Sequence, residues 1–304
     1  MSLTTESEVT TRSLAFSPGV RAAAIGAFWF SVMGLLVKLA GRRLGSMEIV
    51  LFRGVITLAL SWWYLKRAGL SPWGTDRKLL FLRGTTGSIA LMCFFASIVN
   101  LPLGEATLIQ NMNPVFATIL AAAFLKEHFG AAEIVCLLAS LVGVVLIAHP
   151  TFLFGTSVDP VDPLDILVAL GGAFFSGCSY VLVRRMRTSD HPLVIVFYLP
   201  LMSVPLSLPF ALAEWQWPTP VEWLLLLGVG MTTQLAQVSM TRGLQLERTA
   251  RATTVGYLQV AFAVVWGLVV LGEVPDVWTL TGAVIIIGSI LGLSWWHSLG
   301  SDQT

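Results

Sequence analysis

Charge is what this sequence lacks most. Only 12% of its 304 residues are Asp, Glu, Lys or Arg, and 56% are apolar. That is about half the charge of an ordinary soluble chain. With a mean hydropathy of +0.80, the apolar surplus needs lipid as its solvent. A formal net charge of +1 gives no basic face to displace counterions from phosphates, so nucleic acid is not expected as a partner. Cysteine is scarce as well. Cys93, Cys136 and Cys178 are odd in number and lie in apolar runs, which argues for small buried hydrophobes rather than a disulfide framework. There is no GxxxxGKS/T run to hold ATP. His128, His149, His191 and His297 have no i, i+4 or cysteine partner for zinc, so neither metal nor cofactor is expected. No Ser/His/Asp set or carboxylate pair sits at one depth, so an enzyme is not expected either.

What the sequence has is apolar runs. Ten are read, at 19–39, 47–66, 79–99, 104–125, 132–149, 164–183, 193–213, 221–241, 250–271 and 277–297. Each is long enough to cross a bilayer at about 20 residues per span, and each is expected to be a helix because lipid cannot satisfy an open backbone. The fold class is therefore an all-α polytopic membrane protein of ten transmembrane helices. Residues 1–18 lack the basic, apolar and small-residue regions of a cleaved signal, so the first run is expected to stay as a span. Placing the N-terminus in the cytoplasm puts Arg12, Arg21, Lys66, Arg67, Arg77, Lys78, Lys126, Arg184, Arg185, Arg187, Arg242, Arg248 and Arg251 inside, and only Arg42 and Arg43 outside. The positive-inside bias thus predicts both termini in the cytoplasm of a bacterial inner membrane.

The chain also repeats itself. An offset of 146 aligns Gly26-Ala27-Phe28 with Gly172-Ala173-Phe174, Val37-Lys38 with Val183-Arg184, Ala106-Thr107 with Ala252-Thr253, and Leu125 and Glu127 with Leu271 and Glu273. Each repeat holds five spans, an odd number, so the second is inverted relative to the first. The expected layout is a tail at 1–18, a first repeat at 19–150 with helices 1–5, a second at 151–297 with helices 6–10, and a tail at 298–304. Inverted repeats are a feature of secondary transporters, whose site lies between the halves near the midplane.

Asn113-Pro114-Val115-Phe116-Ala117 followed by Leu125-Lys126-Glu127, with Leu271-Gly272-Glu273 closing the ninth run, resembles the paired EamA domains of the drug/metabolite transporter superfamily. Within it the chain is most similar to bacterial aromatic amino acid exporters of the YddG type. The resemblance implies alternating-access export with helices 1, 3, 4, 6, 8 and 9 around the pathway. One departure is Val260 where the first repeat has Pro114, so a helix kink is not required to be symmetric.

Polar groups at membrane depth are costly and default to functional candidates. Gln110, Asn111 and Asn113 of the fourth run and Gln234 and Gln237 of the eighth are read as lining a central cavity, together with Tyr257 and Gln259, the repeat mates of Asn111 and Asn113. By the helical rise, Asn113 and Gln259 both lie about 13.5 Å inside their spans. Trp29 and Tyr180 are expected to stack on a substrate side chain. The alternative for the amides is that they tie helices together. Arg53, about 9 Å deep, is read as meeting a carboxylate or a facing carbonyl, with snorkelling or a tie between helices as the alternative, and Arg83 and Lys38 as snorkelling. Glu48, Glu105, Glu127, Glu133 and Glu273 fall at span ends, where water is expected to reach them. The absence of an acid at the midplane disfavours proton antiport through a buried carboxylate.

The expected partners are thus the lipid bilayer and a small-molecule substrate, amino acids, moved by facilitated export through a monomer. Export of drugs or nucleotide-type metabolites is the rival within transport, and an intramembrane lipid-modifying enzyme the rival outside it. Pro200, Pro205 and Pro209 mark the seventh helix as a candidate hinge. Gly288 and Gly292 form a GxxxG face for close packing, most simply against the fifth helix.

Overall fold

The computed structural model describes residues 17–101, 103–148, 162–213, 215–272 and 274–300. Twelve helices are present among them: α1 Pro18–Ala40, α2 Ser46–Arg67, α3 Arg77–Asn100, α4 Leu103–Gln110, α5 Asn113–Leu125, α6 Ala131–Ala148, α7 Pro163–Arg185, α8 Pro192–Ala213, α9 Pro220–Leu246, α10 Thr249–Gly256, α11 Leu258–Leu271 and α12 Val277–Gly300. No strand occurs among the described residues. Nine described segments are long and apolar enough to cross a membrane, and Val277–Leu293 adds a shorter apolar one. The ten-span, all-helical reading therefore holds. The excess of two helices arises because the fourth and ninth spans are each broken in the middle. The outer tails, the junction at residues 149–161 and Glu273 lie outside the described residues.

Helix starts follow from local chemistry. Ser17, Asp76, Asp162 and Thr219 each accept a hydrogen bond from the first turn they open. Pro18, Pro163 and Pro220 follow directly, where a missing N–H costs nothing. Thr219 and Glu222 complete a capping box. The helices that end the two broken spans stop the same way. Lys126 after α5 has φ 54 and Gly272 after α11 has φ 69, both left-handed, at positions 146 residues apart.

The repeats are interleaved rather than side by side. α1 packs on α9 and α7 on α3; α1 also meets α11 as α7 meets α5, and α2 touches α9 as α3 touches α8. α2 packs on α8 and α6 on α12, each on its own repeat mate. This is the pattern of a pseudo-twofold axis between two inverted five-span units. The α6–α12 contact was expected, but Gly288 and Gly292 do not make it, since a Cβ added to either would meet nothing within 4 Å. Gly143 and Gly282 make it instead. A Cβ on Gly143 would sit 2.7 Å from the Gly282 carbonyl oxygen, and Ser140 and Ser289 hydrogen-bond alongside at 2.6 Å. α8 keeps its helical course through three internal prolines, and the interruptions lie in the fourth and ninth spans.

Candidate transport cavity

The first break has an explicit cause. Pro114 has no N–H, so the Gln110 carbonyl loses its helical donor, and the Asn113 Nδ2 donates to it at 2.9 Å instead. Met112 N–H bonds to Ile109 and Val115 N–H to Met112, both i to i−3, a tightened turn of the kind found at functional breaks. The Asn111 carbonyl, released by the same shift, accepts the Tyr257 hydroxyl at 2.7 Å. Tyr257 is the break point of the ninth span, where its N–H bonds to Thr254 and the Val260 N–H bonds back to it, again i to i−3. The kink is therefore symmetric although Val260 replaces the proline. The two break points are repeat mates and touch each other, so they lie on the pseudo-twofold axis, at the centre of the span.

Above this point is a cavity of about 840 Å³, in the range that small-molecule sites occupy. Its floor and walls include Arg83, Gly87, Phe94, Gln110, Asn111, Asn113, Ser176, Tyr180, Gln237, Gln259 and Trp266. Its mouth is at Lys38, Ala148, Asp276 and Thr279. Six of the nine residues singled out from the sequence thus border one space. Asn111 and Asn113 each give a side-chain N–H to a carbonyl of their own span, Thr107 at 2.8 Å and Gln110 at 2.9 Å, and their Oδ1 atoms accept no bond among the described residues. The other three lie elsewhere. Tyr257 is buried behind the break that it holds. Gln234 is buried against α2, accepting from Ser61 at 3.0 Å. Trp29 packs edge-on to Phe28, with ring centroids 5.3 Å apart, and does not border the cavity.

The indole that does is Trp266, whose Nε1–H donates to Ser31 Oγ at 3.0 Å. Its signal was present in the sequence. Gln259, Ala263, Trp266 and Gly267 recur at i, i+4, i+7 and i+8 and share one helix face. Arg83 lines the cavity as well. It does not snorkel; it is 3% exposed and bends back towards the cavity over Gly87, where a Cβ would collide with its Nη1. Arg83, Gly87, Ala90, Leu91 and Phe94 form a comparable face of α3. Lys38 likewise sits at the mouth.

Below the breaks the molecule is shut by a polar network that joins the repeats. Arg184 donates to Glu127 at 2.7 Å and to the Gln245 carbonyl at 2.8 Å. The other Glu127 oxygen accepts the Thr249 N–H at 3.0 Å, which opens α10. Arg251 bonds to Glu247 at 2.9 Å and to Glu133 at 3.4 Å, and Ser17 donates to Glu247. Glu133 and Glu48 were expected to reach water. They are 2% and 1% exposed instead, because α10 and the segment before α9 cover their span ends.

Residues 17–149 and 164–295 each match the EamA-like transporter family. The chain belongs to that family. Over 277 residues it is 32% identical to the pseudopaline exporter CntI of Pseudomonas aeruginosa, covering 91% of this chain and 95% of that one. It is 30% identical to human solute carrier family 35 member G1, covering 90% and 79%. A riboflavin transporter of Vibrio cholerae is 26% identical, covering 91% and 95%. A crystal structure with 16% identity superposes with a TM-score of 0.82 over 93% of this chain, which speaks for the fold. The protein is therefore a multi-pass membrane transporter of the drug/metabolite type.

Proposed function

We propose that this transporter exports amino-acid-like metabolites, aromatic ones included, by alternating access and without a coupled proton. The observation that carries the reading is the one-sided cavity. It ends at the paired helix breaks and is closed beyond them by contacts between the repeats, as an access mechanism requires. The Asn111 and Asn113 oxygens suit an ammonium, Gln110, Gln237 and Gln259 suit either end of a zwitterion, and Trp266, Phe94 and Tyr180 offer ring surface. The ring surface supports aromatic side chains, and the relative named as an exporter supports the outward direction. The lysine and arginine bias supports a bacterial inner membrane with the closed face and both termini in the cytoplasm. The close intramolecular packing of α6 on α12 supports a monomer.

Labelled phenylalanine, threonine and lysine in proteoliposomes, with and without a proton gradient, test this. Movement of at least phenylalanine, independent of the gradient, is expected. Movement of none removes the amino acid reading. Asn113→Ala and Gln237→Ala are each expected to slow transport about tenfold. Unchanged rates would remove the proposed site.

A further inference from the structure

We propose that the substrate of this cavity carries two anionic groups, one for Arg53 and one for Arg83. This rests on the cavity being the transport site. Both side chains border it, and both are more than nine-tenths buried, at 8% and 3% exposure. Both also stand beside Leu199: Arg83 and Leu199 crowd the same side of Gly87, and Arg53 and Leu199 line an adjoining crevice.

Neither arginine makes a hydrogen bond or ion pair with a described residue, and the Nε and Nη1 of Arg83 are buried without an acceptor. A guanidinium keeps its proton, so it cannot shed the cost of burial by becoming neutral. A tie between helices would show a partner carbonyl or carboxylate, and there is none among the described residues. Asp276 is the one acidic side chain among the described residues lining the cavity. It lies at the mouth and already has a contact of its own.

The cavity thus has a surplus of fixed positive charge at mid-depth. A neutral zwitterion brings one carboxylate and one ammonium, which leaves that surplus uncancelled. A second carboxylate, or another planar oxyanion that accepts two parallel N–H bonds, cancels it and fills the guanidinium forks. The amide oxygens of Asn111 and Asn113 remain for an amine. The substrate class is an amino-dicarboxylate or comparable dianion with an apolar portion against Trp266 and Phe94.

Three probes share a benzyl group and differ in charge: benzylsuccinate with two carboxylates, phenylalanine as the zwitterion and phenethylamine as the cation. In proteoliposomes the wild type is expected to move benzylsuccinate at least tenfold faster than phenylalanine and to leave phenethylamine behind. Arg83→Gln is expected to slow benzylsuccinate at least tenfold more than it slows phenylalanine, and Arg83→Lys to restore part of the preference. Should Arg83→Gln not fold, Arg53→Gln carries the same expectation. Equal rates for benzylsuccinate and phenylalanine, equal loss of both in a folded arginine variant, or movement of none of the probes overturns the proposal. Gly34 lines the cavity with open space before it, so Gly34→Trp is a plug. A plug that stops every probe while charge makes no difference overturns the dianion alone. A plug that stops nothing overturns the cavity reading itself.

Discussion

The two faces of the protein are built from the same repeat, yet one is shut and the other open. Part of each face is equivalent. At the closed face Asp190 accepts the Thr75 N–H at 2.6 Å, and at the open face Arg43 grips Glu222 at 2.9 and 2.6 Å. Glu222 is the repeat mate of Asp76, and Arg43 of Ser189, each one residue from the Thr75–Asp190 contact, so closely matching places are tied at both ends with different chemistry. The inner network is not equivalent. Offset by 146 residues, Glu247 becomes Leu101, Glu133 becomes Thr279 and Arg251 becomes Glu105, of opposite charge. Of the charged positions that shut the closed face, the pair Arg184 and Glu127 has a like-charged counterpart, Lys38 and Glu273, and Glu273 lies outside the described residues. A shared scaffold thus ties both ends, while the charged network that shuts one of them has no full counterpart at the other.

The largest expected effect comes from breaking the buried pair. Glu127→Gln leaves Arg184 uncompensated at about 3–5 kcal/mol, enough to open the closed face. A cysteine at Thr249, fully buried in the native protein, is expected to stay unlabelled by an impermeant maleimide in the parent, with Cys93, Cys136 and Cys178 replaced. In Glu127→Gln it is expected to label from the closed face. Continued protection would show that the ion pair does not shut that end. Arg251→Gln removes donors from Glu247 and Glu133 and should raise the same labelling by a smaller amount, about 1–3 kcal/mol in the opening equilibrium.

Tyr257→Phe touches neither face but the point between them. Losing the bond to the Asn111 carbonyl should cost about 0.5–1.5 kcal/mol, read as a lower melting midpoint with maleimide labelling unchanged; a shift in labelling would mean that the hinge point also sets the balance between faces. The smallest effect is expected at Lys126, the one described non-glycine residue with positive φ. Its repeat mate is already Gly272, and Lys126→Gly should raise the melting midpoint by relieving about 1 kcal/mol of backbone strain.

Much of this was legible in the residues. The ten spans, the inverted plan and the gathering of Gln110, Asn111, Asn113 and Gln259 at mid-depth all follow from composition, periodicity and one offset. The breaks were not fully legible. Pro114 announces the first, whereas the second occurs at Tyr257 without a proline, directly after Gly256, and is held by contacts that only the folded pair provides. Trp29 and Trp266 are both mid-span indoles, and choosing between them needed the face shared with Gln259. Gly143 and Gly282 carry no motif, since close approach is decided by where two helices cross.

By itself the sequence determined the solvent, the number of crossings and the opposed orientation of the halves. A backbone in lipid must satisfy its hydrogen bonds locally, so each apolar run had one available structure. Tertiary structure decided which polar groups were consumed and which were left over. Asn111 and Asn113 gave their donors to backbone, Gln234 turned to Ser61, Arg184 found Glu127, and Arg53 and Arg83 were left facing the cavity. Those outcomes depend on distances between helices far apart in the chain, which periodicity along one helix does not encode.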